Sequence, residues 1–175
     1  QRYPRVMKFP KDILIIDFEG LSEPVQIGAL LLDKATLEEK DSFTSYIWAD
    51  LKGKTKKKSG ISQETLEGAP NQAEVGKQIF DRFGTNIFLA SWVANADMRN
   101  FEKIIQATGI DCFNAYDYHI IDVWPAAYIH ALKSGYTGGV NSEELFQYFG
   151  AKPRDLHNAL EDCRIASDVL RKIVL

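Results

Sequence analysis

Two carboxylates, Asp17 and Glu19, close the aliphatic run ILIIDFEG at 13–20. On an extended chain they share one face with Ile13 and Ile15, while Leu14, Ile16 and Phe18 share the other. An ionised carboxylate buried without compensation is costly, and two on one face repel, so the pair calls for a cation or for solvent. A strand end emerging into water explains either acid alone; the two together leave both readings open. A third acid, Asp162, recurs with Ala166, Val169 and Ile173 at intervals of four, three and four residues in RDLHNALEDCRIASDVLRKIVL, so a helix there turns it toward the core. A boundary position on the helix flank accounts for it equally well. Asn158 followed by Glu161 matches a capping box, which starts the helix near 158 and sets His157 just before the cap and Asp162 at the fourth helical position. That makes a polar staple, an imidazole beside a carboxylate, suited to a base near a metal, although a lone histidine is more often structural. His119, in a strand candidate, and His130, mid-helix, are read as structural. Asp97 follows NIFLAS and precedes a helix carrying Phe101, Ile104 and Ile105. A helix N-cap explains it, and its place beside a strand's carboxyl end keeps it a site candidate.

These side chains need a frame. Short β-rich runs at 13–18, 25–32 and 42–48 predict three antiparallel strands, and further strand candidates fall at 86–91 and 118–122. The rest is mainly helical. Asn71 with Glu74 and Asn141 with Glu144 match capping boxes, and Gly109, Gly135 and Gly150 follow helical runs where a left-handed residue is expected. Strands first, then helix and strand alternating, predict an α/β fold: a five-stranded mixed sheet, its first three strands antiparallel, flanked by helices. Open sheets of this kind place their sites at the carboxyl ends of strands, where Asp17, Glu19 and Asp97 fall.

A chain of 175 residues suits one domain, taken as 12–175 behind an N-terminal arm, 1–11, in which Met7 is a candidate start after vector-derived residues. A net charge of -3 gives no broadly basic face for nucleic acid. No apolar run approaches the roughly 18 residues of a membrane span, so no membrane partner is expected. Two cysteines, Cys112 and Cys163, are too few for a disulfide framework and fit a reducing compartment, the cytoplasm, as buried thiols. In KGKTKKK, Lys52, Lys54, Lys56, Lys57 and Lys58 lie on a loop; such runs are usually just solvated.

Taken together, D-x-E at 17–19, an Asp after the fourth strand and H-x-x-x-x-D at 157–162 resemble the DEDDh family of 3'-5' exonucleases, over roughly 12–174. QIGALLLD, SGISQETLEGAP and HNALEDCRIASDVL are similar to further family segments in the same order. The chain departs from the family where Gly20, Leu21 and Ser22 stand in place of threonines after the Glu, and where SWVANAD replaces H-N-x-x-F-D. The latter is similar to a Trp-containing form in family members that trim histone mRNA and small RNA, which tilts the expected substrate toward RNA. The resemblance implies a ribonuclease H-like fold and hydrolysis of phosphodiester bonds from the 3' end of single-stranded RNA or DNA. It also implies two Mg²⁺ or Mn²⁺ ions held by Asp17, Glu19, Asp97 and Asp162. Asp17 would bridge the ions, Glu19 and Asp162 would hold the nucleophile-side ion, and Asp97 would act on the other through water. His157 would be the general base. Gly20, Leu21, Ile61 and Trp92 are candidates to hold the terminal base, with a core position an equal reading of Trp92, and Lys58 is a candidate to guide phosphate. A non-catalytic nucleic-acid-binding module, an endonuclease or a small-molecule phosphodiesterase of the same fold stay open, as does the oligomeric state, a homodimer included.

Overall fold

The structure is a computed structural model and describes residues 8–20 and 22–175. Its centre is β1 (Asp12–Glu19), antiparallel to β2 (Gln26–Leu32), which is antiparallel to β3 (Glu39–Tyr46). On the other side of β1 lies β4 (Ile87–Ser91), parallel to it, and then β5 (Ile121–Asp122), parallel to β4. The order β3-β2-β1-β4-β5 is the five-stranded mixed sheet that the sequence predicts. β5 is two residues long rather than five. Asp117 takes the main-chain N–H of His119 on its carboxylate (3.0 Å), turning the chain so that Tyr118 and His119 stand exposed outside the sheet.

The alternation in β1 sorts two cores. Ile13 and Ile15 pack with α5 (Val123–Lys133), α6 (Ser142–Tyr148) and α7 (Ala159–Val174), through Ala127, Phe146 and Ala166 among others. Leu14, Ile16 and Phe18 pack on the opposite face with α2 (Gln72–Phe83) and α3 (Ala94–Gln106), through Ile79, Phe101 and Ile105. A small third cluster, Val25, Ala49, Leu51, Ile61 and Leu66, lies under the 47–62 connection and α1 (Gln63–Leu66). The short α4 (Cys112–Ala115) follows α3.

α7 is seated directly on β2. A Cβ at Gly28 would overlap the backbone of Ala159 and Leu160, so only glycine admits this approach. The buried side chain of Gln26 accepts the N–H of Ala159 at 3.2 Å, satisfying a donor that a helix start leaves orphaned. Of the expected capping boxes, Asn71–Glu74 is reciprocal. Asn141 and Asn158 accept their helix N–H groups without the return bond, because Glu144 turns to Gly139 and Glu161 to Arg164. Cys163 is buried, but Cys112 is only half-buried, at the margin of the α3–α4 surface. Residues 1–7 of the N-terminal arm lie outside the described residues; beyond them, Phe9 donates to Lys34 O (2.8 Å) and Lys11 pairs with Asp117 (3.0 Å). Among the described residues, no helix is long and apolar enough to cross a membrane.

Candidate active site

Three elements bring the acids to one end of the sheet. Asp17 and Glu19 end β1, and Asp162 and Asp97 are each the fourth residue of a helix, α7 and α3. The expectation that Asp97 precedes its helix as an N-cap is therefore corrected. α3 already begins at Ala94 behind Val93, which makes no side-chain cap, and this turns Asp97 inward. Its carboxylate accepts the main-chain N–H of Phe18 (3.1 Å) and the hydroxyl of Ser91, both buried, which ties α3 to the ends of β1 and β4. Glu19, Asp97 and Asp162 are buried and Asp17 is half-buried.

Burial and crowding make the acids hard to ionise together. Asp17 is pushed well above the usual carboxylate range by burial, then by the charges of Asp97, Asp162 and Glu19. Burial raises Glu19 to about 7, helped by Asp162 and opposed by Arg154. Asp97 rises to about 6, again chiefly by burial, against its bonds from Ser91 and Phe18. Burial also raises Asp162, although Arg154 opposes it. A negative cluster so poorly compensated suits a hard divalent cation, and its oxygen ligands are of the kind that Mg²⁺ and Mn²⁺ prefer. Glu19, His157 and Asp162 each offer a ligand atom within 4.8 Å of the others.

His157 reaches this cluster from the loop before α7. Its Nδ1 lies 3.8 Å from Asp162 Oδ2, the polar pairing expected across the helix start. Burial and then Arg154 lower its pKa, so the imidazole is neutral near pH 7. Its main-chain N–H donates to Lys58 O at 2.9 Å, and the Lys56–Ile61 bridge folds the lysine loop back beside it. Lys56, Lys57 and Lys58 thereby line a cleft of about 450 Å³ together with Asp17, Glu19 and His157. A groove of about 490 Å³ on the outer side of α7, between Phe149 and Lys172, is larger but holds none of the four clustered acids.

The remaining substrate candidates divide. Gly20 lines the cleft at φ 96°, and its carbonyl accepts from the buried Asn100 at 2.9 Å. Leu21 lies outside the described residues. Trp92 is 6% exposed and tilted on Phe146 with ring centroids 4.2 Å apart, so it has no free face on which a base could stack. Ile61, 4% exposed, belongs to the third core cluster. Both are packed in the core, Trp92 just past the end of β4 and Ile61 just past the turn of the lysine loop. Sequence reasoning missed Arg154. Its guanidinium donates from Nη1 to Asp162 Oδ1 and from Nε and Nη2 to Glu143 Oε2, at 3.1 and 2.7 Å. Proximity to His157 in the sequence was the one available signal.

Comparisons with known proteins agree with this fold. The RNase_T family model, described as an exonuclease, matches residues 14–170. A search of curated proteins finds no match. Among solved structures, a 3'-exonuclease from a study of 3'-end recognition of the histone mRNA stem-loop is 17% identical, with a TM-score of 0.72 over 99% of this chain and 66% of that one. E. coli exonuclease I in complex with a dT13 oligonucleotide is 14% identical, with a TM-score of 0.75 over 93% of this chain and 41% of that one. The nuclease domain of 3'hExo, a DEDDh family member bound to rAMP, is 18% identical, with a TM-score of 0.66 over 94% and 92%. The chain thus spans just under two-thirds of the first of these and about two-fifths of the second. At such identities the structures establish the ribonuclease H-like fold, and the family model establishes kinship along nearly the whole sheet and its helices. The chain belongs to the RNase_T exonuclease family.

Proposed function

We propose that this chain removes nucleotides from the 3' end of single-stranded nucleic acid, RNA in preference to DNA, using two Mg²⁺ or Mn²⁺ ions and His157 as general base. One observation carries the reading: Asp17, Glu19, Asp97 and Asp162, from three elements, converge with a neutral histidine at one end of the sheet. Paired divalent ions supply charge stabilisation to the attacking and leaving oxygens of an in-line displacement. The carboxylate of Asp17, crowded by the charges of Asp97, Asp162 and Glu19, would serve both ions, and Glu19 and Asp162 would hold one of them beside His157. Asp97, its oxygens already engaged by Ser91 and Phe18, would act on the other through water. His157 accepts the proton of the attacking water, a role its lowered pKa keeps open at neutral pH. Lys56, Lys57 and Lys58 face the cleft from one wall and offer cationic contacts to phosphates of the bound strand. The preference for RNA rests on the Trp-containing form of the SWVANAD segment.

The test is to incubate 3'-labelled, 5'-labelled and circular single strands of RNA and DNA with Mg²⁺ or Mn²⁺. Immediate release of the 3' label as mononucleotide, a shortening ladder from the 5' label, intact circles and faster loss of RNA are expected. Cleaved circles would indicate internal cutting. Binding that persists in EDTA without hydrolysis would make the chain a binding module.

A further inference from the structure

Arg154 is gripped on three sides. Glu143 Oε2 accepts from its Nε and Nη2, the ring of Phe146 lies 5.0 Å from its guanidinium carbon, and its Nη1 donates to Asp162 Oδ1. Phe146 is itself 3% exposed and packed against Trp92, so the platform beneath the guanidinium is part of the core. With its side chain only 12% exposed, Arg154 is fixed by α6 and reaches across to α7. A side chain that merely neutralised Asp162 for want of another cation would need none of these anchors.

We propose that Arg154 is a positioning residue for the metal site: by holding Oδ1 of Asp162 it fixes the carboxylate with Oδ2 turned toward His157 and the ion cluster. The inference rests on reading the acids as a divalent-metal site. The geometry separates the two oxygens of one carboxylate, Oδ1 on the guanidinium and Oδ2 3.8 Å from His157 Nδ1. Donors behind a ligating carboxylate restrict its rotation and commonly matter nearly as much as the ligand itself. An arginine is required, because its planar fork spans Glu143 and Asp162 at once and keeps its charge at every working pH; a lysine ammonium is a single point without that reach. Arg154 also supplies positive charge where Glu19 and Asp162 crowd together.

The experiment is a calorimetric Mn²⁺ titration of the full chain, wild type against Arg154→Ala, Arg154→Lys and Glu143→Gln. Each protein's melt is followed in EDTA, and kcat and KM are measured on a labelled oligonucleotide at saturating Mn²⁺. Arg154→Ala should weaken Mn²⁺ binding about 10- to 100-fold, the usual effect of removing a residue behind a metal ligand. Arg154→Lys should recover little of the loss, Glu143→Gln should fall between, and KM should not move. Unchanged Mn²⁺ affinity in Arg154→Ala would overturn the proposal, and tighter binding would show that Arg154 competes with the ion. A raised KM with intact Mn²⁺ affinity would overturn it in favour of a substrate contact. Should Arg154→Ala lose its cooperative melt, the lysine and Glu143→Gln variants decide by the same criterion. A wild type that binds no Mn²⁺ overturns the metal-site reading and this inference together. One that binds Mn²⁺ without hydrolysing any strand overturns only the proposed function, and the variants still judge Arg154.

Discussion

At His157 two neighbours pull in opposite directions. Burial and the Arg154 charge disfavour the imidazolium, Asp162 favours it, and the balance holds the pKa below its ordinary 6.5. A base held there is free to take a proton over the neutral range, and the acid limb of the pH–rate profile should fall below 6.5. His157→Ala should reduce kcat by about 10²–10⁴, the range for losing a general base, while a Mn²⁺ titration still shows the ions bound. Equal turnover in mutant and wild type would remove His157 from the chemistry. His157, Asp17, Glu19 and Asp162 were legible in the sequence because each breaks a local rule: an acid on an apolar strand face, an acid on a helix's core stripe, an imidazole at a staple position. Arg154 breaks none. It stands in an irregular segment, where charge is ordinary, and its partner Glu143 is eleven residues away, a contact that exists only once α6 and α7 are packed. Whether Trp92 and Ile61 face the substrate or the core was not legible for the converse reason: an apolar residue adjacent to a site in sequence carries no mark of the side to which it turns, and both turn to the core.

The element that decides the site is α7, and its seat is on β2. Gly28 pairs in register with Asp17, and the space where its side chain would be is filled by the first turn of the helix that carries Asp162. Gln26, two residues earlier on the same face, closes the joint by accepting the N–H of Ala159. Gly28→Ala should therefore push the α7 N-terminus away from the strand ends. Overpacking of this kind costs about 1–3 kcal/mol, and denaturant unfolding should show it together with weaker Mn²⁺ binding. A stable Gly28→Ala protein with normal Mn²⁺ affinity would show that α7 is positioned otherwise. The strands themselves were legible from their short β-rich runs, whose apolar residues on both faces fit β1 and β2, which face a core on both sides. β5 was not: YHIID has the composition of a strand, yet the Asp117–His119 turn claims its first half, and side-chain capping of that kind overrides propensity. The helix starts were predicted more firmly than their geometry allows. Glu144 accepts from Gly139 and from the side-chain amide of Asn141 instead of the Asn141 main-chain N–H, and Glu161 turns to Arg164; a capping box read from two residues cannot foresee those competitors.

For the whole molecule, the acids that make the site also set its stability. Glu19 moves from 4.5 to about 7 and Asp97 from 3.8 to about 6 on folding, both chiefly through burial. Each folded value lies above the unfolded one, so the native chain binds more protons across those intervals. Without metal, stability is greatest at the acid end and falls as pH rises through them. Asp17 and Asp162, also raised, add to this trend. His157, shifted below 6.5, works against it as one group against four acids. Carboxylates elsewhere that are lowered, such as Asp12, Asp41 and Asp117, are fully ionised in both states above about pH 5 and leave this window to the site. In EDTA the chain should therefore melt at a higher temperature at about pH 5 than at about pH 8. Mn²⁺ should reverse the order, because ions bind the deprotonated acids and stabilise only the folded state, so the gain from metal grows with pH. Glu19→Gln should flatten the EDTA profile across the interval from 4.5 to about 7 and shrink the response to Mn²⁺ at its upper end. A melting temperature in EDTA that stays level or climbs over that interval would mean the acids are already compensated in the metal-free protein, leaving no electrostatic reason for the cluster to take up a cation.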